Sequence, residues 1–159
     1  IDLFNSRIFA PPFFMTFKII FYIIFMTLST ANLANSTSEK NLPPCRDSPN
    51  CVSSQAEDAK HFIEPFKISG SPEEAWNALK EALNSQSRMV ITHETADTLH
   101  AEATSLVFRF VDDINVILDT DTNLIHIRSA SRTGHSDFGV NRKRIEALRL
   151  QLQKAHVID

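Results

Sequence analysis

The feature that most constrains the fold is a series of short segments in which apolar and polar residues alternate. Alternation at every second residue is the period of a β-strand. Five such segments follow one another in the middle of the chain: 88–94, 98–103, 106–111, 114–119 and 124–128. Turn-forming sequences separate them at 95–97, 112–113 and 121–123. Connections this short join antiparallel neighbours, so we predict an antiparallel sheet with Leu106, Phe108 and Phe110 among its inward-facing residues.

Two other segments have helical spacing. Ser71 precedes Pro72 and two acidic residues, which is typical of a helix start, and apolar residues then recur at helical spacing to about Ser85. Ser136 or Asp137 is predicted to cap a final helix. With one further strand at 61–68, the predicted class is α+β. We expect an antiparallel sheet of five or six strands with two helices packed on one face, in the order β-α-β-β-β-β-β-α.

The N-terminal region resembles a secretory leader. In 15–31, Lys18 precedes an unbroken apolar stretch, and small residues follow it up to Ala31. This stretch is much shorter than the roughly 20 apolar residues of a membrane-spanning helix. We therefore expect cleavage near Ala31, with Ala34 as the second choice, and a periplasmic or secreted protein. An uncleaved membrane anchor is the alternative.

The leader divides the chain into four parts. Residues 1–14 contain no methionine, and we expect them to be an upstream extension that is not native. Residues 15–31 form the predicted signal peptide. Residues 32–44 are rich in Asn, Ser and Pro, which is typical of a flexible linker. Residues 45–159 are expected to form a single α+β domain.

The chain contains two cysteines, Cys45 and Cys51. In an exported protein an even number of cysteines favours a disulfide. A zinc site would need two more ligands nearby, and a redox pair normally has two intervening residues instead of five. We predict a structural disulfide that closes a small turn.

Composition and motifs exclude several classes of function. The chain has 16 basic and 19 acidic residues and a net charge of -3, which argues against a nucleic-acid partner. The six histidines are scattered, without the His-Glu-x-x-His spacing of a helical metal site. His100 and Glu102 share a strand face but lack a third ligand in the sequence pattern. No glycine-rich phosphate loop is present. We predict no metal and no cofactor.

Polar residues concentrate between the last predicted strand and the last helix. Arginines, hydroxyls and the free amides of a helix start are the groups that bind a carboxylate, phosphate or sulfate. The candidate ligand-binding residues are Arg128, Ser129, Ser131, Arg132, Ser136, Asp137, Asn141, Arg142, Asp112 and Asp113. The alternative is a structural network, in which the helix cap and arginine pairs with the predicted Asp112–Asp113 turn account for the same residues.

Three motifs in this order carry a family resemblance. They are CRDSPNCVSS at 45–54, FRFVDD at 108–113, and RSASRTGHSDFGVNR at 128–142 followed by Arg144. Together they resemble the family of domain of unknown function 1499, found in bacteria, often with export signals or membrane segments, and in plastids. The resemblance covers Cys45 to about Leu152. A proline often follows the first cysteine in the family, where this chain has Arg46. The family has no assigned activity, so the resemblance implies no mechanism.

Two functions remain open at this point. The first is an exported, non-catalytic binding or assembly domain that recognises an anionic small molecule or an envelope protein. The second is a small hydrolase or isomerase that uses Asp112 and Asp113 for acid–base chemistry, with Ser131 and Arg132 stabilising an oxyanion. In either case, membrane contact is expected only through an uncleaved leader.

Overall fold

The computed structural model describes residues 40–159, so the predicted upstream extension, signal peptide and most of the linker lie outside the described residues. The described chain is an α+β domain with six strands in one antiparallel sheet and two helices, which confirms the predicted class. In chain order the elements are β1 (Cys51–Ser53), β2 (Phe66–Lys67), α1 (Pro72–Ser85), β3 (Met89–Glu94), β4 (Thr98–Thr104), β5 (Val111–Asp119), β6 (Leu124–Ser131) and α2 (Val140–Lys154).

The sheet has the strand order β1-β6-β5-β4-β3, and β2 also pairs with β6. Strands β3 to β6 follow one another as antiparallel neighbours. The register places Asp112 opposite Ser131 and Cys51 opposite Ala130. This pairing brings the cysteine segment to the end of β6. At the outer strand β3 the register shifts between Ile91 and His93, which is an irregularity of the β-bulge type.

Helices α1 and α2 supply the apolar side chains that pack against one face of the sheet. The core includes Leu79 of α1 and Leu148 of α2, together with Ile114 and Ile127 of the central strands, all fully buried. Truncating such a side chain to alanine costs about 2–5 kcal/mol. Within residues 40–159, neither helix combines the length and the apolar character needed to cross a bilayer.

The start of α1 agrees with the predicted cap, whereas the start of α2 has a different N-cap residue. The Ser71 hydroxyl accepts a hydrogen bond from the Glu74 amide at the start of α1, as predicted. At α2, the Asp137 carboxylate accepts the amides of Gly139, at 3.0 Å, and Asn141, at 2.8 Å. The N-cap residue of α2 is therefore Gly139, and not Ser136 or Asp137 as predicted, although the Asp137 carboxylate binds amides of the helix start. The left-handed backbone of Gly139, with φ 76°, lets the chain enter the helix from this turn.

The predicted strand 106–111 is wrong, and so is the turn at Asp112–Asp113. Residues 105–110 form a loop between β4 and β5, and Leu106, Phe108 and Phe110 are exposed instead of inward-facing. Asp112 and Asp113 lie within β5. Each carboxylate forms an ion pair with an arginine from another part of the chain, and these pairs stabilise the strand position of both residues.

Candidate functional site

Alternation along β6 divides the predicted cluster between the two faces of the sheet. The side chains of Ser129 and Ser131 point toward α2, where both contact Asn141. The side chains of Arg128 and Arg132 point to the other face, which we call the open face because no helix of residues 40–159 packs on it. There Arg128 donates to Asn115 and Arg132 to Asp113. Successive residues of a strand face opposite sides, so this division follows from the strand itself.

The helix-side group is a buried network centred on Asn141, which is fully buried. Its side-chain amide donates to Asp137 at 2.8 Å, to Ser131 at 3.0 Å and to the Asn50 carbonyl at 3.1 Å. Its side-chain oxygen accepts from Ser129 at 2.5 Å. One asparagine thus joins β6, the start of α2 and the cysteine segment, and every polar atom of its side chain has a partner.

Arg144 completes this network from α2. Its guanidinium donates to the Ser129 hydroxyl at 2.9 Å, to the Asn141 oxygen at 2.7 Å and to the Asp112 carboxylate at 2.7 Å. The side chains of Arg144 and Asp112 are only 13% and 11% exposed. A buried ion pair that is also hydrogen-bonded to neighbouring side chains is a structural connection between α2 and β5. Five of the ten predicted ligand residues, Asp112, Ser129, Ser131, Asp137 and Asn141, belong to this network.

A second ion-paired group lies on the open face. Arg132 donates to the Asp113 carboxylate at 2.8 and 3.0 Å and also contacts Glu102. His100 Nε2 lies 2.9 Å from the same Asp113 carboxylate. The Arg132 hydrogen bond, assisted by His100, holds the pKa of Asp113 below its usual value against the opposing effect of burial.

His100, Glu102 and Asp113 also have the spacing of metal ligands. Their ligand atoms lie within 4.8 Å of one another. The structure therefore supplies the third group that the sequence pattern lacked. Arg132, however, already bonds to both carboxylates. A cation at this point would have to displace the guanidinium, so the arrangement gives no independent support for a metal site.

Beside this group the open face contains a pocket of about 370 Å³. It is lined by Arg46, Asn50, Cys51, Asp113, Arg128, Ala130, Ser131 and Arg132. Arg46 reaches it because the disulfide between Cys45 and Cys51, with Cα atoms 5.7 Å apart, ties its segment to β1 and hence to β6. The structure thus contains the predicted disulfide and places it at the pocket wall.

Arg128 is a partly buried charged group of this pocket whose hydrogen bonds are incomplete. Its contacts to the Asn115 side chain and the Pro44 carbonyl are both long, at 3.4 Å, and its Nε atom is buried without a hydrogen-bond partner among the described residues. Burial, together with the nearby charge of Arg46, lowers the pKa of Arg128 despite an opposing effect of Asp113. Between residues 40 and 159, the ion-paired arginines are Arg132, Arg144 and Arg149, and Arg46 and Arg128 have no carboxylate partner.

Two predicted site residues lie elsewhere. The Arg142 guanidinium donates to the Lys60 carbonyl at 3.0 Å, and the exposed Ser136 hydroxyl accepts from the Phe138 amide at 3.3 Å. Sequence reasoning missed Arg46 and Asn50 as pocket residues, because their approach depends on β1, a strand of three residues that has no recognisable pattern. The predicted disulfide was the available signal that this segment is held in place.

The fold and the pocket define a small α+β domain whose open face carries an arginine-lined cavity next to a disulfide. The family model described as protein of unknown function (DUF1499) matches residues 41–152. The chain belongs to this family, as the three motifs indicated. No curated protein matches the sequence.

Proposed function

We propose that the protein is an exported, non-catalytic binding domain whose open-face pocket takes an anionic ligand. The observation that carries this proposal is Arg128, a partly buried guanidinium with no carboxylate partner among the described residues. A buried charge is costly unless it is paired, and an arginine fork binds the two oxygens of a carboxylate, phosphate or sulfate group. A ligand anion would supply the missing partner.

The rest of the pocket supports an anion of small size. Arg46 adds a second positive charge to the wall, and it has no carboxylate partner within residues 40–159. The volume of about 370 Å³ lies at the lower end of the range of small-molecule sites. Asp113 does not oppose an anion strongly, because Arg132 already neutralises it.

The geometry supports the alternative enzymatic function less well than binding. It required Asp112, Asp113, Ser131 and Arg132 to act at one point. The Asp112 carboxylate faces α2 and binds Arg144, whereas the Asp113 carboxylate faces the open side and binds Arg132. The Ser131 hydroxyl accepts from Asn141 on the helix side. The four groups are therefore divided by the sheet, and we favour binding over catalysis.

The test is direct binding with matched variants. Small molecules retained by the protein purified from its own periplasm are identified by mass spectrometry, and their affinities, with inorganic phosphate, sulfate and citrate as further probes, are measured by calorimetry. Arg128→Gln is expected to weaken binding of the retained anion at least about thirtyfold, the effect of removing one partner of a desolvated charge pair. Arg142→Gln removes the same charge outside the pocket and should leave binding unchanged. Equal affinities of the two variants would contradict the proposal.

A further inference from the structure

The loop between β4 and β5 exposes an apolar tip formed by Leu106, Val107, Phe108 and Phe110. Phe108 is 73% exposed, and its ring stacks on that of Phe110 with centroids 5.5 Å apart. Single exposed apolar residues are ordinary, but four large ones in one short loop form a patch of the kind that marks an interaction surface. The stacking of Phe108 on Phe110 indicates a preformed apolar surface.

The loop backbone is closed on itself. The Ser105 amide donates to the Phe110 carbonyl at 2.8 Å, and the Phe110 amide donates to the Ser105 hydroxyl at 2.9 Å. Arg109 adopts a left-handed backbone, with φ 54°, which turns the chain between the two phenylalanines. The polar backbone groups at the base of the loop are thus hydrogen-bonded within the loop. Such internal bonding is needed if the loop is to enter an environment that offers few hydrogen-bond partners.

A second apolar group lies at the same end of the domain. Phe138 is 90% exposed and Val140 is also exposed, both at the start of α2. Ser105, Val140 and Lys143 line one surface depression, so the base of the loop and the first turn of α2 are neighbours. The apolar tip and the start of α2 therefore form one exposed end.

The net charge at this end is positive. Segments 104–111 and 137–144 carry Arg109, Arg142, Lys143 and Arg144 against one acidic residue, Asp137. Arg88 lines the same depression and donates to the Thr104 carbonyl at 3.1 Å. Asp112 is the one carboxylate in its wall, and Arg144 neutralises it. Among residues 40–159, the ion-paired lysines are Lys40, Lys60, Lys67 and Lys80, so Lys143 has no carboxylate partner.

We propose that this end of the domain docks on an anionic lipid bilayer, with the apolar tip inserted at the level of the headgroups. Aromatic side chains flanked by arginine and lysine favour that region, because the rings leave water while the cations meet lipid phosphates. A bilayer accepts an exposed apolar loop without a complementary partner surface. This docking is independent of the open-face pocket and adds a membrane contact that does not depend on a leader.

The experiment places a fluorescent reporter at the tip of the full chain. In the Phe108→Trp variant, emission should shift to the blue and be quenched by brominated lipid when vesicles of phosphatidylglycerol and phosphatidylethanolamine are added. Trp76 is buried and provides a constant background. The matched control is Leu150→Trp, an exposed apolar position of α2 that lies about 15 Å along the helix from Val140. The emission of Leu150→Trp should not change. Both variants contain the apolar stretch 19–26, so any effect of that stretch on vesicle binding is common to them.

The charge dependence is tested in the Phe108→Trp background. Phosphatidylcholine vesicles should give little quenching, and added salt should reduce quenching on anionic vesicles. Arg109→Gln and Lys143→Gln should each weaken the tip-dependent binding about fivefold. Unchanged emission of Phe108→Trp on anionic vesicles would overturn the proposal. So would equal quenching of the Leu150→Trp control. Self-association that Phe108→Ser abolishes, in the absence of lipid quenching, would assign the tip to contacts between protein molecules and overturn membrane docking.

Discussion

The carboxylates of Asp112 and Asp113 lie on opposite faces of the sheet, although the two residues are neighbours in β5. Asp112 pairs with Arg144 of α2 at 2.7 Å, and Asp113 pairs with Arg132 on the open face at 2.8 Å. The first pair is enclosed between sheet and helix. The second is partly exposed, with Arg132 43% accessible. Two adjacent acids thus have different tasks, one in holding α2 and one in shaping the pocket.

Asp112→Asn should destabilise the protein by about 3 kcal/mol, because it leaves the buried Arg144 without its counter-charge. Asp113→Asn is the matched control, and its loss should be much smaller because solvent screens its pair with Arg132. Chemical denaturation of both variants measures the difference. Equal losses of stability would mean that the two ion pairs do not differ in burial as the structure describes.

Arg132→Ala should leave the melting temperature nearly unchanged, since its ion pairs with Asp113 and Glu102 are partly exposed. Asn141→Leu should lower it strongly, because Ser131 and Asp137 lose a donor and buried polar groups remain unpaired. Thermal unfolding followed by circular dichroism provides the comparison. A large loss for Arg132→Ala would make the open-face group a structural network as well.

Acid sensitivity should depend on Asp119. Hydrogen bonds from Lys40 and Thr122 lower the pKa of Asp119 from 3.8 to about 2. Because the folded-state pKa lies below the unfolded value, this carboxylate stabilises the fold above about pH 4 and loses that effect as the pH falls toward 2. Asp119→Asn should therefore flatten the dependence of melting temperature on pH in this window. Asp47→Asn, a change at a fully exposed carboxylate, should retain the slope of the unaltered protein.

Removing the disulfide should affect both stability and binding. The combined Cys45→Ser and Cys51→Ser change frees a small loop, for which loop entropy predicts a loss of about 2 kcal/mol. Arg46 follows Cys45 directly, so its place in the pocket wall is also lost. Anion affinity should fall as well, to a degree that Arg46→Gln alone reproduces. A variant with unaltered affinity would show that the disulfide does not organise the pocket.

Periodicity was enough to predict the α+β class, helix α1 and most of the sheet. The error at 106–111 has a specific cause, since Leu106, Phe108 and Phe110 alternate as an inward-facing strand would. Their burial was inferred from spacing, and spacing does not reveal that the loop closes through Ser105. The strand assignment of Asp112 and Asp113 depends on their arginine partners, which are distant in sequence.

The site was predictable only in part. The segment 128–142 was identified as the polar centre, and Arg128 and Arg132 do line the pocket. The division of this segment between two faces required the register of β6, which a one-residue shift would reverse. Arg46 could not be placed at all from its own pattern, because it reaches the pocket through a disulfide and a strand of three residues.

The shifted register of β3 affects how molecules of this protein meet one another. An outermost strand with a regular row of free amides and carbonyls would pair with the same strand of another copy and start an aggregate. Here the irregularity between Ile91 and His93 interrupts that row, and the exposed Glu94 adds a charge beside it. This edge of the sheet is therefore a poor template for pairing with the same strand of another molecule.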